Sequence, residues 1–321
     1  MGIWSMTKRE WRFLKVFTNV SVLIFIMLTV ASQLYVLATD GVVKTPQGLT
    51  FVQTGSFKTH YEAWGKQSST QIVLIHGAFE STYYFEPLAH ILSQKYHVEA
   101  YDIKGFGYTE RVAPYSVAAD SQQLFDFLNA RKIKHPILVG HSLGAGVVAQ
   151  FLLDYPRTAA GYVFLDGDGL STPRAGSNLF AHLPDPYITA AYRFVTSTDV
   201  IVPSIFKFTC GPTCPALTQD QLANIKAPFL LPDSEKALFQ LAGSPIAGVS
   251  LPDLLKLKKS TIPRTVIFGA DDQEFAPETP QQIADYIGAP APTLIPGAGH
   301  ISMWAQPQLV GQALLRFIKG A

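Results

Sequence analysis

The chain has 321 residues, and its 25 basic and 24 acidic side chains give a formal net charge of +1. Residues 1–38 hold four of the basic residues and one acidic residue, so the remainder has 21 basic and 23 acidic side chains. This balance gives no sign of the basic surface that nucleic-acid binding requires. The remaining length, about 280 residues, suits one large domain with a sizeable core.

The N-terminal arm contains an uncharged, mostly apolar segment from Val16 to Thr39. A basic cluster precedes it, formed by Lys8, Arg9, Arg12 and Lys15. The length of its apolar core lies between the roughly 7–15 residues of a signal peptide and the ~20 residues of a membrane span. We predict an uncleaved anchor and linker over 1–44, with the 45–321 domain outside the cytoplasm. The alternative is cleavage near Val36–Ala38, which would make the protein secreted.

The main domain starts with two β elements. Residues from Thr50 to Trp64 are predicted to form an antiparallel hairpin. The apolar run from Gln71 to Ile75 is predicted to be a strand that ends in the turn His76-Gly77. We expect His76 to brace this turn rather than to transfer a proton.

Residues Pro136–Val139 are predicted to form another strand. It is followed by the turn Gly140-His141-Ser142-Leu143-Gly144 and then by a helical pattern from Ala145 to Leu153. A serine between glycines at a strand-to-helix turn is typical of a nucleophile elbow. Its backbone is strained so that the hydroxyl is exposed, and small neighbours let the strand and helix approach closely. Ser142 is therefore the candidate nucleophile.

Acyl transfer at a serine needs backbone N–H groups that stabilise the developing oxyanion. We expect one donor to be the N–H of Leu143, directly after the candidate nucleophile. The second is expected in the loop after His76-Gly77, at Ala78 or, as second choice, at Phe79.

The chain from about 170 to 260 is too long for a single crossover between strands, and it is rich in Pro, Ala, Leu and Phe. Helices are predicted there, and six aromatic residues are expected to line a pocket or to form the core of the helical insertion: Tyr187, Tyr192, Phe194, Phe206, Phe208 and Phe239. The two cysteines, Cys210 and Cys214, are predicted to form a small disulfide, as an oxidising compartment allows. Two thiols without a suitable nearby histidine do not make a zinc site.

Two further strands end in polar loops. Thr265–Gly269 leads to Asp271 and Asp272, and Thr293–Ile295 leads to a glycine-rich turn and His300. The carboxyl ends of strands are where open α/β sheets place their sites. The order serine, acid, histidine is the order that a hydrolase triad on such a sheet requires. Asp166 or Asp168, after the strand Val163–Leu165, is an alternative source of the acid.

Together these motifs resemble the α/β-hydrolase superfamily, over roughly residues 50 to 320. The segment Tyr101–Gly107 also resembles the family's Asp-x-Arg-Gly-x-Gly turn, with Lys104 in the place of arginine; we interpret it as structural. The resemblance implies an α/β fold with a doubly wound, mostly parallel sheet, and an inserted helical cap over about 170–260. Caps of this kind roof the pocket and shape its substrate preference.

The resemblance also implies roles for individual residues. Ser142 becomes the nucleophile and His300 the base, and family spacing after the strand glycine favours Asp272 over Asp271 as the acid. Some relatives place the acid after the earlier strand, so Asp166 and Asp168 stay open as alternatives, although the neighbouring glycines favour a turn there.

The combined interpretation is a serine esterase or lipase-like enzyme that needs no metal or organic cofactor and acts on a small-molecule ester, lipid-like or aromatic.

A serine at position 142 excludes the haloalkane dehalogenase and epoxide hydrolase branches, which attack with a carboxylate. His141 and Leu143 do not match the elbow of proline iminopeptidases. The same triad would also serve C–C bond hydrolysis, perhydrolysis or lactone opening. A non-catalytic small-molecule receptor or an anchored scaffold are more distant alternatives.

Overall fold

The structure, a computed structural model, describes residues 7–41, 45–67, 70–171, 184–242 and 248–320. The predicted boundary between residues 44 and 45 therefore lies at the edge of an undescribed stretch. Parts of the predicted cap, 172–183 and 243–247, also lie outside the described residues.

Within these residues, eight strands form one sheet. In chain order they are β1 (Phe51–Thr54), β2 (Phe57–Trp64), β3 (Gln71–Ile75), β4 (His97–Tyr101), β5 (Ile137–His141), β6 (Gly161–Leu165), β7 (Arg264–Gly269) and β8 (Thr293–Ile295). Their spatial order is β1-β2-β4-β3-β5-β6-β7-β8. The β1–β2 and β2–β4 pairs are antiparallel and the others are parallel. The predicted leading hairpin and the doubly wound, mostly parallel sheet are confirmed.

Twelve α-helices are assigned in the described part of the chain. They are α1 (Lys8–Thr39), α2 (Glu86–Leu92), α3 (Val117–Arg131), α4 (Leu143–Asp154), α5 (Tyr187–Ser197), α6 (Ile201–Cys210), α7 (Gln219–Lys226), α8 (Ser234–Ala242), α9 (Leu251–Leu254), α10 (Thr279–Ile287), α11 (Ser302–Ala305) and α12 (Pro307–Gly320). Short 3₁₀ turns lie at Thr82–Phe85, Ala227–Leu230 and Leu255–Lys259.

Strands β5 and β6 are buried along their whole length and β3 is buried from Ile72 onward, as continuous apolar runs in parallel sheets are when both faces are covered. One core cluster joins the sheet to α3, α4 and α10, through side chains such as Phe127 and Ile283. A second cluster joins it to α2, α11 and α12, through side chains such as Leu88 and Leu314. The sheet is therefore held rigidly between helical layers, and its carboxyl edge is a stable platform for functional loops.

Helices α5 to α9 follow β6 and precede β7, in the region where the helical insertion is predicted. Five of the six predicted aromatic residues divide into three groups, and the sixth, Tyr187, contacts Phe25 of the N-terminal arm. Phe206 is buried against Tyr84 and Trp304 of the main domain. Tyr192 and Phe239 pack edge to face within the insertion. Phe194 and Phe208 are instead exposed on its outer surface, so neither belongs to a pocket or a core.

Helix α1 starts with a capping box in which Thr7 and Glu10 bond reciprocally, and it runs for 32 residues. It is long and apolar enough to cross a membrane, and none of its most apolar stretch is buried by other parts of the protein. Its second half packs on α5, where Arg193 donates hydrogen bonds to the carbonyl oxygen of Val36 and the carboxylate of Asp40. The arm is thus attached to the insertion by its last turns.

Candidate active site

Ser142 lies between β5 and α4 with a φ of +50°, in a left-handed region that non-glycine residues rarely occupy. Its N–H donates to the carbonyl oxygen of Leu165, which ties the turn to β6. A Cβ on Gly144 would overlap with the carbonyl oxygen of Ile75, so only glycine allows this approach of helix and strand. The strained turn that the motif predicts is therefore present at this serine.

Three of the predicted side chains lie together at the carboxyl edge of the sheet. The Nε2 atom of His300 is 2.9 Å from Oγ of Ser142, and its Nδ1 atom is 2.9 Å from Oδ2 of Asp272. The side chains of His300 and Asp272 are 13% and 4% exposed, so water has little access to the pair. In the tautomer that donates from Nδ1 to Asp272, Nε2 is free to accept the Ser142 proton. This is the arrangement that a serine nucleophile with a general base requires.

The other acidic candidates lie elsewhere. The Asp166 side chain accepts hydrogen bonds from the N–H of Gly269 and from both the N–H and the hydroxyl of Ser302. Asp168 accepts the N–H of Leu170 within its own turn. Asp271 is exposed, and its own N–H donates to the carbonyl oxygen of Ala298. Of these candidates, only the neighbouring Asp272 has its carboxylate within hydrogen-bond distance of the His300 ring.

The loop after β3 lies directly beside Ser142. A Cβ on Gly77 would come within 2.9 Å of the Ser142 Cβ, so the peptide that joins Gly77 to Ala78 runs alongside the nucleophile. Phe79, the second choice for a donor, has a left-handed φ of +63° and its side chain is 43% exposed. Leu143 is the first residue of α4. Both predicted donor regions therefore flank Ser142, one on each side.

His76 lies at the end of β3 and is fully buried. Its Nδ1 atom contacts the carbonyl oxygen of Gly77, and its Nε2 atom accepts the N–H of Ile103. Burial lowers the pKa of this imidazole, which keeps it neutral. The ring links the loop after β3 to the end of β4 and does not contact Ser142 or His300, in keeping with a bracing role. Asp102 completes this edge by accepting the N–H groups of Thr82 and Tyr108.

A buried network that the sequence interpretation missed connects the loops of the site. The Glu80 carboxylate accepts the N–H of Gly77 and pairs with Nδ1 of His141 at 2.9 Å. Nε2 of His141 lies 2.8 Å from the carbonyl oxygen of His300 and donates to it. Burial alone would lower the pKa of His141, but the Glu80 carboxylate and Asp166 outweigh it and raise this pKa to about 9. A protonated His141 can donate to both partners at once, so it holds the β3 loop and the His300 loop in a fixed relation.

We expect Glu80→Ala to lower the free energy of unfolding by about 3–5 kcal/mol, because the change leaves the His141 cation buried without its partner.

In the wild type, the pKa of His141 is raised on folding, so its contribution to stability is complete below pH 6.5 and is lost as the pH rises through about 9. His60 adds to the same trend, because the carboxylates around it raise its pKa to about 9 against the effect of burial. Urea unfolding at pH 6 and pH 10 measures both effects.

The matched control is Lys236→Ala, which breaks an exposed ion pair with Asp233 and should change stability by less than about 1 kcal/mol. If Glu80→Ala is no more destabilising than this control, the buried network has been overvalued.

The insertion contacts the His300 loop through its cysteine turn. Cys210 and Cys214 form a disulfide in the structure. The carbonyl oxygens of Cys210 and Thr209 accept the N–H groups of Gly299 and Ile301, the residues on either side of His300. Thr213 donates from its N–H and its hydroxyl to the carbonyl oxygen of Gly297. The disulfide-closed turn thus supports the loop that carries the histidine, directly from the insertion.

A Cys210→Ala/Cys214→Ala double variant is therefore expected to lose turnover at a nearly constant KM. Misplacing a reacting group by about 1 Å can cost roughly a hundred-fold in rate, so we expect kcat to fall by about 10- to 100-fold. Steady-state kinetics well below the thermal midpoint measure the effect. A variant that stays folded with wild-type kcat would show that the turn holds the loop without help from the disulfide.

Among the described residues, no group of three or more histidine, cysteine, aspartate or glutamate side chains is placed to hold a metal ion. A crevice beside the site lies between the main domain and the insertion. Its apolar wall includes Phe79, Phe106, Ile225, Phe229 and Leu238, and its polar lining includes Ser81, Arg111 and Ser234.

The sequence profile of the family described as "Alpha/beta hydrolase family" matches residues 72–313. An uncharacterized protein of Mycobacterium tuberculosis is 30% identical over 127 residues, which is 39% of this chain and 37% of the relative. The chain thus spans little more than a third of the length of the curated relatives it matches.

Solved structures match over much more of the chain. A membrane phospholipase A, described as a bacterial virulence factor, superposes with a TM-score of 0.68 at 18% identity, covering 98% of this chain and 99% of the other. An esterase from Thermogutta terrifontis superposes with a TM-score of 0.67 at 18% identity, covering 85% of this chain and 98% of the other. At such identities these likenesses concern the fold alone.

Proposed function

This chain belongs to the alpha/beta hydrolase family, and from that premise we propose that it is a serine hydrolase that cleaves carboxylic esters through an acyl-enzyme. The observation that carries the proposal is the pair of hydrogen bonds that joins Ser142 Oγ to His300 Nε2 and His300 Nδ1 to Asp272 Oδ2, each at 2.9 Å. The fold supports hydrolysis in general, and the geometry supports a serine as the attacking group.

The proposed reaction has two halves. The Ser142 hydroxyl attacks the ester carbonyl as its proton passes to Nε2 of His300, and the oxyanion is stabilised by the N–H groups of Leu143 and Ala78. Collapse breaks the acyl–alkoxy bond, and His300 returns the proton to the departing alcohol. Water then gives a proton to His300 as it attacks the acyl-enzyme carbonyl. The bond from the acyl carbon to Ser142 Oγ breaks, His300 returns the proton to Oγ, and the carboxylic acid leaves. Asp272 holds the His300 ring and stabilises its cationic form in both halves.

The proposed substrate is an ester with an apolar acyl group. Two features support it: apolar side chains such as Phe79 and Phe106 lie next to the site, along a small crevice that also has polar lining, and solved structures of similar fold include an esterase and a phospholipase. We further propose that α1 is a retained membrane anchor, with the hydrolase domain outside the cytoplasm.

Retention of α1 is supported by its contacts. Arg193 bonds to Val36, Thr39 and Asp40, so cleavage after Ala38 would remove the first of these partners from a charged side chain that also pairs with Glu235. The superposition on the membrane phospholipase covers 98% of the chain, against 85% for the esterase. That likeness therefore extends along the N-terminal helix.

The full chain in detergent should hydrolyse p-nitrophenyl esters and release an initial burst of p-nitrophenol equal to the enzyme concentration, because the good leaving group makes acylation faster than the attack of water on the acyl-enzyme. A series of acyl chains from acetyl to palmitoyl then measures the pocket's preference. A matched p-nitroanilide series separates ester from amide cleavage. Labelling by a fluorophosphonate without turnover of any ester would overturn the ester assignment while leaving the serine nucleophile standing.

A further inference from the structure

The insertion carries an apolar surface that no other described part of the protein covers. Its members lie on α5, on α6 and between them: Phe194, Val195, Val200, Ile205 and Phe208. Val200 is 72% exposed and Phe208 is 61% exposed, although both are large apolar side chains. Residues 201, 204, 205 and 208 follow the three- and four-residue spacing of one helix face. We refer to these five side chains as the outer cap surface.

The same insertion is joined to α1. The Tyr187 hydroxyl at the start of α5 bonds to the Thr29 hydroxyl, and the Tyr187 ring contacts Phe25. Further along both helices, Arg193 reaches Val36 and Asp40. The contact therefore follows α1 over its last four turns, from about Phe25 to Asp40.

If α1 spans a membrane, its length places part of the contact between α1 and α5 inside the bilayer. A hydrocarbon core of ~30 Å needs about 20 residues at 1.5 Å each. A span that starts after Lys15 then ends near Tyr35. A span that starts as early as Trp11 still reaches Val30, beyond Thr29. Tilting the helix requires more residues, which moves the outer boundary further into the segment that packs on α5.

We propose that α5 and α6 lie in the outer membrane interface, with the outer cap surface inserted among the lipid chains beside α1. This inference rests on the proposed anchorage and deepens the proposed function. It implies that the ester substrate is a lipid that the enzyme takes from the bilayer rather than a solute.

The charges around the contact agree with this placement. Arg193 pairs with both Asp40 and Glu235, and Lys226 pairs with Asp199, so each cation next to α5 has a carboxylate partner. Lys207 is exposed between Phe206 and Phe208, where a long basic side chain can extend toward lipid phosphates. Apolar residues with a basic residue at their edge are typical of helices that lie in a membrane interface.

The test places a nitroxide spin label at one site at a time in the full chain, reconstituted in vesicles of phosphatidylcholine and phosphatidylglycerol. Phe194→Cys reports on the outer cap surface. Ile24→Cys reports on α1, and Leu294→Cys, an exposed apolar position on β8, is the aqueous control. Collision rates with oxygen, which partitions into lipid, are compared with those of a water-soluble nickel chelate.

We expect the labels at 24 and 194 to collide mainly with oxygen, and the label at 294 to collide mainly with the nickel chelate. Lipid exposure at 24 together with water exposure at 194 would overturn the docking surface and leave the anchorage intact. Water exposure at 24 would overturn the anchorage and the docking surface with it, whereas ester turnover by the same samples would still test the hydrolase proposal separately.

A kinetic measurement tests the consequence for the substrate. The triple variant Phe194→Ser/Ile205→Ser/Phe208→Ser should lose about ten-fold or more of its rate on a long-chain lipid ester embedded in vesicles, because burial of these apolar side chains in lipid is what holds the insertion at the bilayer. Its rate on soluble p-nitrophenyl butyrate should be unchanged. Leu294→Ser is the matched control and should keep both rates. Equal rates of the triple variant and the control on the vesicle-embedded ester would overturn delivery of substrate from the bilayer.

Discussion

Ser142→Ala is expected to lower kcat for ester hydrolysis by about 10⁴- to 10⁶-fold and to abolish fluorophosphonate labelling, because alanine has no hydroxyl that could form the acyl-enzyme. His300→Ala should cause a loss of similar size, since the Ser142 hydroxyl then has no base within reach. The measurement is steady-state turnover of a p-nitrophenyl ester by the full chain, together with the thermal midpoint of each variant.

The double variant makes this prediction sharper. Residues that act as one unit have non-additive effects, so Ser142→Ala/His300→Ala should be no slower than Ser142→Ala alone. Ser93→Ala, a serine at the end of α2 far along the chain from the elbow, should keep full activity. Ester turnover that survives in Ser142→Ala, with a normal thermal midpoint, would refute the assignment of the nucleophile.

Asp272→Asn is expected to lower kcat by about 10⁴-fold with little change in stability, because an amide cannot hold His300 in the tautomer that accepts the serine proton. Asp271→Asn is the matched control, one residue away and exposed, and should retain activity. The pair separates the candidate acids by position in the loop, since the chemical change is identical.

Asp166→Asn addresses the remaining alternative. Burial raises the pKa of Asp166 to about 6, against the effects of His141, His300 and Ser302, which lower it. Its carboxyl holds Gly269 and Ser302, so the change should alter stability more than kcat. Titration of Asp166 should likewise change stability rather than turnover. The stability that its raised pKa contributes is complete below pH 3.8 and is lost as the pH rises through about 6. If Asp166→Asn is the variant that loses 10⁴-fold while Asp272→Asn stays active, the acid has been misassigned.

Much of the fold was predictable because its signals are local. The central strands are short runs of β-branched and apolar residues, such as Ile72–Ile75, and each ends in glycine or a polar turn. The strained turn at Ser142 also has a local signature, since glycines at 140 and 144 are the neighbours that such a turn allows. The confirmed sheet and family follow from these patterns.

The network behind the site was not predictable in the same way. Glu80 and His141 are 61 residues apart, and nothing in the sequence around either residue indicates that the two side chains pair. A glutamate three residues after Gly77 was the only trace, and it resembles an ordinary turn residue. The cysteine turn is a similar case: its disulfide was expected from composition, but its bonds to the residues that flank His300 depend on where the insertion packs.

The sequence by itself therefore determined which segments form strands, where the serine turn lies and in which order the candidate groups follow, since these depend on residues within a few positions of each other. Only the tertiary structure decided that the Asp272 carboxylate, and not that of Asp271 or Asp166, lies on His300. It also left Phe194 and Phe208 exposed on the insertion instead of lining a pocket. The physical reason is that hydropathy marks a side chain as apolar without specifying what will cover it, and adjacent carboxylates differ only in the path of the loop that carries them.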